Sequence, residues 1–344
     1  MVVLVLTSHG TKLGRKKEMF KITRPDTEFQ EELFAAETVE EIIVESTGSI
    51  STEAVKLASR YAIPILFVYG NEPIACLTPF ASHGTVRVRR AQIKAYETKI
   101  GVRFCKEIIK AATDNKIKII KEMVRVRKLD KNIAGTIKNE INKMDYLKAK
   151  LKEIKKEKID ECREEIFTKE SEITKIYYGC LQKMLPKEIN FNGRTRRPPK
   201  DPVNVLLSYG YAVLTAQIHK SVIIAGLEPY AGFLHTDRAG KVSFVLDLIE
   251  IFRQPVVDRL ALTLIEKKMI KKEDFEKREE NNGLRMKEKT KKKFLEYLFE
   301  KIRTENVNYK GIKTSYQRIF VDQARKAGEF FINKVNYEPY SIKK

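Results

Sequence analysis

His235, Asp247 and Glu250 are the side chains of this sequence whose types and spacing point most directly to chemistry. The segment GFLHTDRAGKVSFVLDLIEIFR, residues 232–253, sets the histidine in a glycine-flanked turn and then places two carboxylates three residues apart at the end of an apolar run. If LDLIEIF is helical, that spacing puts Asp247 and Glu250 on one face, roughly 5 to 6 Å apart at Cβ, where they could serve one ion. A histidine near a turn and an acidic pair on an amphipathic helix are also ordinary packing features. The neighbours favour the chemical reading: Asp247 lies between Leu246 and Leu248, and Glu250 between Ile249 and Ile251. Carboxylates at such positions are seldom buried unless paired or bound to metal. Oxygen ligands with one imidazole suit Mg2+ or Mn2+.

Composition indicates what such an ion would work on. The chain carries 67 Lys+Arg against 46 Asp+Glu, a formal net charge of +21, and a pI near 9.6. This is the electrostatic footprint of a nucleic-acid binder. Heat adaptation explains abundant charge of both signs but not the large excess of one. Cys76, Cys105, Cys162 and Cys180 form no close-spaced pair, which argues against a zinc ribbon or redox motif and for reduced, mostly packed thiols. The opening MVVLVL lacks a basic leader and reads as a strand, and no run approaches the ~20 apolar residues of a membrane helix. A soluble, cytoplasmic protein with no membrane partner is expected.

These residues need a scaffold, and at 344 residues the chain exceeds what one core usually serves. The fold class read from the pattern is α+β. Short β-rich runs (MVVLVL, EEIIVE, IPILFVYG, EPIACLTPF) with one helical insert, STEAVKLASRYA capped by Ser51 or Thr52, fill residues 1–88. From about residue 89 to 344 the apolar period is helical, and the boundary lies near residues 85 to 95. The Lys- and Glu-dense stretch from Lys118 to Lys169 reads as a solvated helical face, and the polar stretch around Asn281-Asn282-Gly283 as a hairpin. Pro198, Pro199 and Pro202 make FNGRTRRPPKDP a loop. Its Arg194, Arg196, Arg197 and Lys200 form a basic knot suited to phosphate contacts. From Asn204 one long buried helix runs to about Gly226, with His219, Tyr209 and Tyr211 read as packed within it, and a turn at Pro229 delivers His235.

The strings RTRRPPKDPVNVLLSYGYAVL and GLEPYAGFLHTDRAGKVSFVLDLIEIFRQPVVDR resemble the CRISPR-associated adaptation integrase, the universal first Cas protein, here Cas one. The likeness lies in R-x-R-x-P-P-x-D-P-x-N, then G-x-x-P-x-x-G-x-x-H, then D-L-x-E-x-F-R-x-x-x-V-D. QIKAYETKIGVRFCKEIIKAA and QARKAGEFF resemble, in order, its first and last helices of the C-terminal domain. The resemblance implies a third ligand, a glutamate upstream in KESEITKIYY. The offset to Tyr177 and Tyr178 selects Glu170 over Glu172, although Ser171 stands where the family usually has glycine.

It further implies a Mg2+- or Mn2+-dependent endonuclease and integrase in which Glu170, His235 and Glu250 hold the metal and Asp247 supports them. Arg238 and Arg253, flanking the ligands, would contact DNA or orient the carboxylates. The reaction is transesterification, the 3′-hydroxyl of a captured DNA fragment attacking a phosphate of the CRISPR repeat. Implied partners are double-stranded and branched DNA, a second copy of the chain held through the N-terminal domain, and the small dimeric protein Cas two. Two alternatives remain at this stage: a metal-dependent repair nuclease using water, and a DNA-binding protein without chemistry.

Overall fold

A continuous run of β-branched and leucine residues makes β1 (Val2–Leu6), and its buried Leu4 and Leu6 begin the core of an N-terminal unit. The strands that follow are β2 (Thr11–Lys16), β3 (Met19–Thr23), β4 (Glu31–Ala35), β5 (Val39–Val44) and β6 (Gly48–Ile50). Helix α1 (Thr52–Arg60) precedes β7 (Ile65–Tyr69) and β8 (Glu72–Leu77). One sheet has the order β1-β5-β7-β8, parallel except for β8 at its edge; the other has the order β4-β3-β2-β6. Ser51 caps α1, its side chain accepting from the Ala54 amide. Leu13, Phe20, Ile22, Ile42, Leu57 and Ile65 close the core. This computed structural model describes residues 2–25, 31–61, 63–69, 72–77, 86–127, 129–278, 283–304 and 306–342.

The chain divides into two units, Met1–His83 and Gly84–Lys344. The boundary expected at 85–95 thus falls at His83/Gly84, and residues 78–85 lie outside those described. The second unit is mostly helical: α2 (Val86–Tyr96), α3 (Lys99–Val126), α4 (Lys131–Lys150), α5 (Arg163–Met184), α6 (Pro202–Ile224), α7 (Ser243–Leu248), α8 (Glu250–Phe252), α9 (Arg259–Glu266), α10 (Glu288–Arg303) and α11 (Tyr316–Asn333). A β-rich N-terminal part followed by a larger helical one is the expected α+β class. Two short hairpins, β9 (Phe275–Lys277) with β10 (Leu284–Met286) and β11 (Val307–Tyr309) with β12 (Ile312–Thr314), interrupt the helices. The first of these spans the predicted turn, whose Asn281 and Asn282 are outside the described residues.

Helix α6 is apolar on every side, with Val203, Leu206, Leu207, Val213, Leu214, Ile218 and Val222 buried, so it forms the axis on which the unit packs. Asp201 caps it, Oδ1 accepting from the Asn204 amide, and Pro202 opens it. Phe104 on α3 gathers Phe233, Phe244, Phe330, Phe331 and Tyr337 around itself at centroid distances of 5.2 to 6.5 Å, which fixes the loop before the histidine against α3 and α11.

Candidate active site

The histidine lies in a loop pinned from two sides. On one side Gln92 of α2, fully buried, donates to the Glu228 and Ala231 carbonyls and accepts from the Glu228 amide. On the other, Asp247 takes four hydrogen bonds: Oδ2 from the amides of Phe233 (2.6 Å) and Leu234 (3.1 Å), Oδ1 from the amide (2.9 Å) and Nδ1 (2.7 Å) of His235. A carboxylate only accepts, so Nδ1 donates to it, and Nε2 is the ring nitrogen left for another partner, as a lone pair whenever the ring is neutral. Gly232 makes this close packing possible, because a Cβ there would sit 2.5 Å from Ser243 Cβ and 2.9 Å from the His235 carbonyl oxygen. Asp247, 1% exposed, is therefore engaged in shaping the loop and orienting the ring.

Helix α5 approaches the same loop. Arg163 donates from Nε to the Phe233 carbonyl (3.0 Å), and the Phe167 ring meets the His235 ring edge-on at 5.9 Å. Phe167, Glu170, Thr174 and Tyr177 follow at helical spacing, so Glu170 is one turn along from the ring that touches His235. Glu170 Oε1 lies 3.4 Å from Lys116 Nζ, a side chain only 2% exposed on α3, and accepts from Thr174 Oγ1 at 2.6 Å. Burial pushes the Glu170 carboxyl up, but Lys116, the Thr174 hydroxyl and Arg253 outweigh it and hold the group below the usual carboxylate range. Glu172 is exposed. Glu250, buried, pairs with Arg253 one turn later.

The run from α7 to α9 is interrupted at Ile249 and again by a wider turn that contains Pro255. Proline has no N–H and its ring crowds the carbonyl four residues back. Here that carbonyl belongs to Ile251, and the buried Asn115 side chain on α3 donates to it at 2.8 Å. The backbone widens into a π-helical turn, Arg253–Asp258. At its end the fully buried Asp258 accepts from Tyr177 (2.9 Å, Oδ2) and Tyr211 (2.5 Å, Oδ1). The guanidinium groups of Arg253 and Arg194 lie 5.2 and 5.6 Å from the Tyr211 ring centroid.

Arg194 is folded onto α6, donating to Asn204 Oδ1 (2.9 Å) and Ser208 Oγ (3.0 Å), whereas Arg196, Arg197 and Lys200 of the same loop are exposed, as is Arg238 beyond the histidine. Arg253 is mostly buried against Glu250 and Tyr211. Among the described residues no three His, Cys, Asp or Glu side chains are grouped so as to hold a metal ion. Asp247 is engaged by the loop, Glu170 by Lys116, and Glu250 by Arg253. The donor types, two carboxylates and an imidazole nitrogen with its proton on the far side, still fit a hard divalent cation. Lys116, Asn115, Gln92 and Asp258 escaped the sequence reading. Asp258 closes the D-L-x-E-x-F-R-x-x-x-V-D string, and Lys116 interrupts the apolar face of KAATDNKIKII, which are the signals available for them.

In fold the protein falls into a class of solved structures. It matches a casposase bound to integration product (TM-score 0.82, 24% identity, 100% of this chain and 96% of that one). It also matches a chain of a Cas6-RT-Cas1–Cas2 complex (TM-score 0.79, 18% identity, 100% of this chain and 36% of that one). Sequence narrows the class to a family. The profile of CRISPR associated protein Cas1 matches residues 4–300, and a CRISPR-associated endonuclease Cas1 of Archaeoglobus fulgidus is 34% identical over 312 residues, 88% of this chain and 89% of the relative. The chain belongs to the Cas1 family. No helix among the described residues is long and apolar enough to cross a membrane.

Proposed function

We propose that the helical unit is a divalent-metal-dependent DNA endonuclease and integrase that joins captured DNA fragments to the CRISPR repeat by transesterification. The observation that carries the reading is the meeting, on one basic helical unit, of His235 with Nε2 presented and the α5 face bearing the ionised Glu170. Glu170, His235 and Glu250 would hold Mg2+ or Mn2+, with Glu170 and Glu250 leaving Lys116 and Arg253 to do so. A bound ion of this kind lowers the pKa of an attacking hydroxyl or water and offsets charge growing on the phosphate. Asp247 keeps the imidazole in one tautomer and one orientation. Lys116 and Arg253, released from the carboxylates, stay within reach to neutralise phosphate charge. Arg196, Arg197, Lys200 and Arg238 hold the DNA backbone against mutual repulsion. The names of the relatives, one an endonuclease, one bound to integration product and one in a complex with Cas2, support this assignment of substrate and partner.

We assign the homodimer contact to the N-terminal unit. Tyr69, Ile74 and Leu77 are exposed there on β7 and on β8, which ends its sheet, and an exposed apolar strand edge is a ready pairing surface.

The test offers radiolabelled DNA donors with a 3′-hydroxyl or a 3′-blocked end, with Mn2+, Mg2+ or chelator. Joining of the hydroxyl donor alone, abolished by chelator and by His235→Ala, is expected. A blocked donor that still joins refutes integration, and cutting without joining leaves a nuclease that uses water. His235→Ala with wild-type cutting refutes the metal site.

A further inference from the structure

We infer that Asp258 is a positioning residue of the proposed metal centre: through Tyr177 and Tyr211 it sets the spacing between the helix that carries Glu170 and the segment of α8 and the following turn that carries Glu250 and Arg253. The inference rests on reading Glu170, His235 and Glu250 as the ion's ligands.

Asp258 is fully buried, and each of its oxygens accepts from one tyrosine. Tyr177 lies seven residues after Glu170, two turns along the same face of α5. Its bond to Asp258 therefore ties the Glu170 helix to the end of the π-helical turn that follows α8, the short helix that Glu250 opens. Tyr211, on α6, takes the other oxygen and sets its ring against Arg253, the partner of Glu250. One carboxylate thus joins three segments, each leading within two helical turns to a proposed ligand or to that ligand's counter-ion.

Packing alone does not call for an acid here. Burial pushes the Asp258 carboxyl up to about 6, against the two tyrosine hydroxyls, Arg194 and Lys116. The ionised form is thus a load on the fold at neutral pH, and an amide of equal size fills the same volume. An amide offers one acceptor and one N–H donor, so one of the two hydroxyls must reverse from donor to acceptor. At Tyr211, whose hydroxyl also lies 3.2 Å from that of Tyr178, the reversal replaces the short bond that seats the ring against Arg253.

The experiment compares wild type, Asp258→Asn, Tyr211→Phe, the double variant and His235→Ala in the full chain. It measures Mn2+ binding by calorimetry, DNA binding by anisotropy, joining against Mn2+ concentration, and Tm at pH 8. Asp258→Asn is expected to weaken Mn2+ binding about 10- to 100-fold, the size seen when a group behind a ligand is removed. DNA affinity should be unchanged and Tm at pH 8 no lower than wild type. Tyr211→Phe should weaken Mn2+ in the same direction, and the double variant should be no worse than the poorer single, because both changes cut one chain of contacts. Wild-type Mn2+ binding in a folded Asp258→Asn, or strictly additive losses, overturns the inference. Should Asp258→Asn fail to fold, Tyr211→Phe decides alone, and wild-type Mn2+ affinity in it overturns the idea. If wild type binds no Mn2+, or His235→Ala binds it equally well, the reading of the site itself fails, a different result from loss in His235→Ala with Asp258→Asn intact.

Discussion

The imidazole half of the site and its carboxylate half are held by different kinds of bond. On the imidazole side, Asp247 grips three consecutive backbone amides and the ring at 2.6 to 3.1 Å, and Gln92 fastens the loop upstream. On the carboxylate side, Glu170 and Glu250 are met by the side chains of Lys116 and Arg253. Backbone amides cannot leave without unfolding the loop, whereas an ammonium or guanidinium swings away when a stronger cation competes. The difference teaches that, of the three proposed ligands, the imidazole is held ready by the loop and the two carboxylates are stored against internal counter-ions. Buried carboxylates without such compensation would repel one another and take up protons.

The contrast can be broken at either end. The largest effect expected is from His235→Ala, which should abolish metal-dependent cutting and joining while anisotropy shows DNA still bound. Retained activity would remove the imidazole half from the chemistry. Asp247→Ala leaves three amides and the ring without an acceptor and should destabilise the fold by about 3 to 5 kcal/mol, read by denaturant unfolding. A loss below about 1 kcal/mol would show that the loop is not held as described.

Asp258 sharpens the carboxylate half through pH. Its carboxyl sits at about 6 in the fold against an ordinary value of 3.8. Between those limits the unfolded chain gives up the proton that the fold retains. Stability therefore falls as pH rises from about 4 to about 6, by roughly 3 kcal/mol in all, and is level with respect to this group above that. The gap between wild type and Asp258→Asn, followed by urea unfolding across the window, should grow in favour of the variant as pH rises; a constant gap contradicts the burial argument.

Lys116→Met removes the cation that keeps Glu170 ionised, so the acid limb of the activity profile should move to higher pH. An unmoved limb would place the storage of Glu170 elsewhere. The smallest change is expected at the rim, where Arg196→Ala should reduce the slope of log affinity against log salt by about 0.9 if it meets one phosphate and leave metal dependence alone.

How much of this could be read from the residues depended on sequence distance. His235, Asp247 and Glu250 lie within sixteen positions of one another, so turn, spacing and apolar neighbours displayed them together. Glu170 stood among Glu164, Glu165 and Glu172 and was distinguished only by the family resemblance. What sets it apart physically is Lys116, 54 residues away on another helix. Asp258 and Tyr177 are 81 residues apart, and no local pattern announces their pairing. Arg194 looked like its neighbours Arg196 and Arg197, but Asn204 and Ser208 draw it inward. In the first unit the apolar runs showed β1, β5, β7 and β8, but the more polar β2, β3, β4 and β6 passed unread. The division of the strands into two sheets of mixed direction was not legible, because pairing partners are chosen by tertiary packing.

The wide turn at Pro255 also has a bearing on how this segment can vary in length. A backbone that takes up one extra residue in a single turn rotates everything beyond it by about 100° relative to what came before. Asp258 meets both tyrosines only with that offset in place, so the apolar side chains of Val256 and Val257 can be exchanged for others of like size more readily than one residue can be removed. A deletion between Gln254 and Val257 would send Asp258 toward the apolar side of the helix and the register of α9 with it, a lesion that restoring any single side chain would not repair.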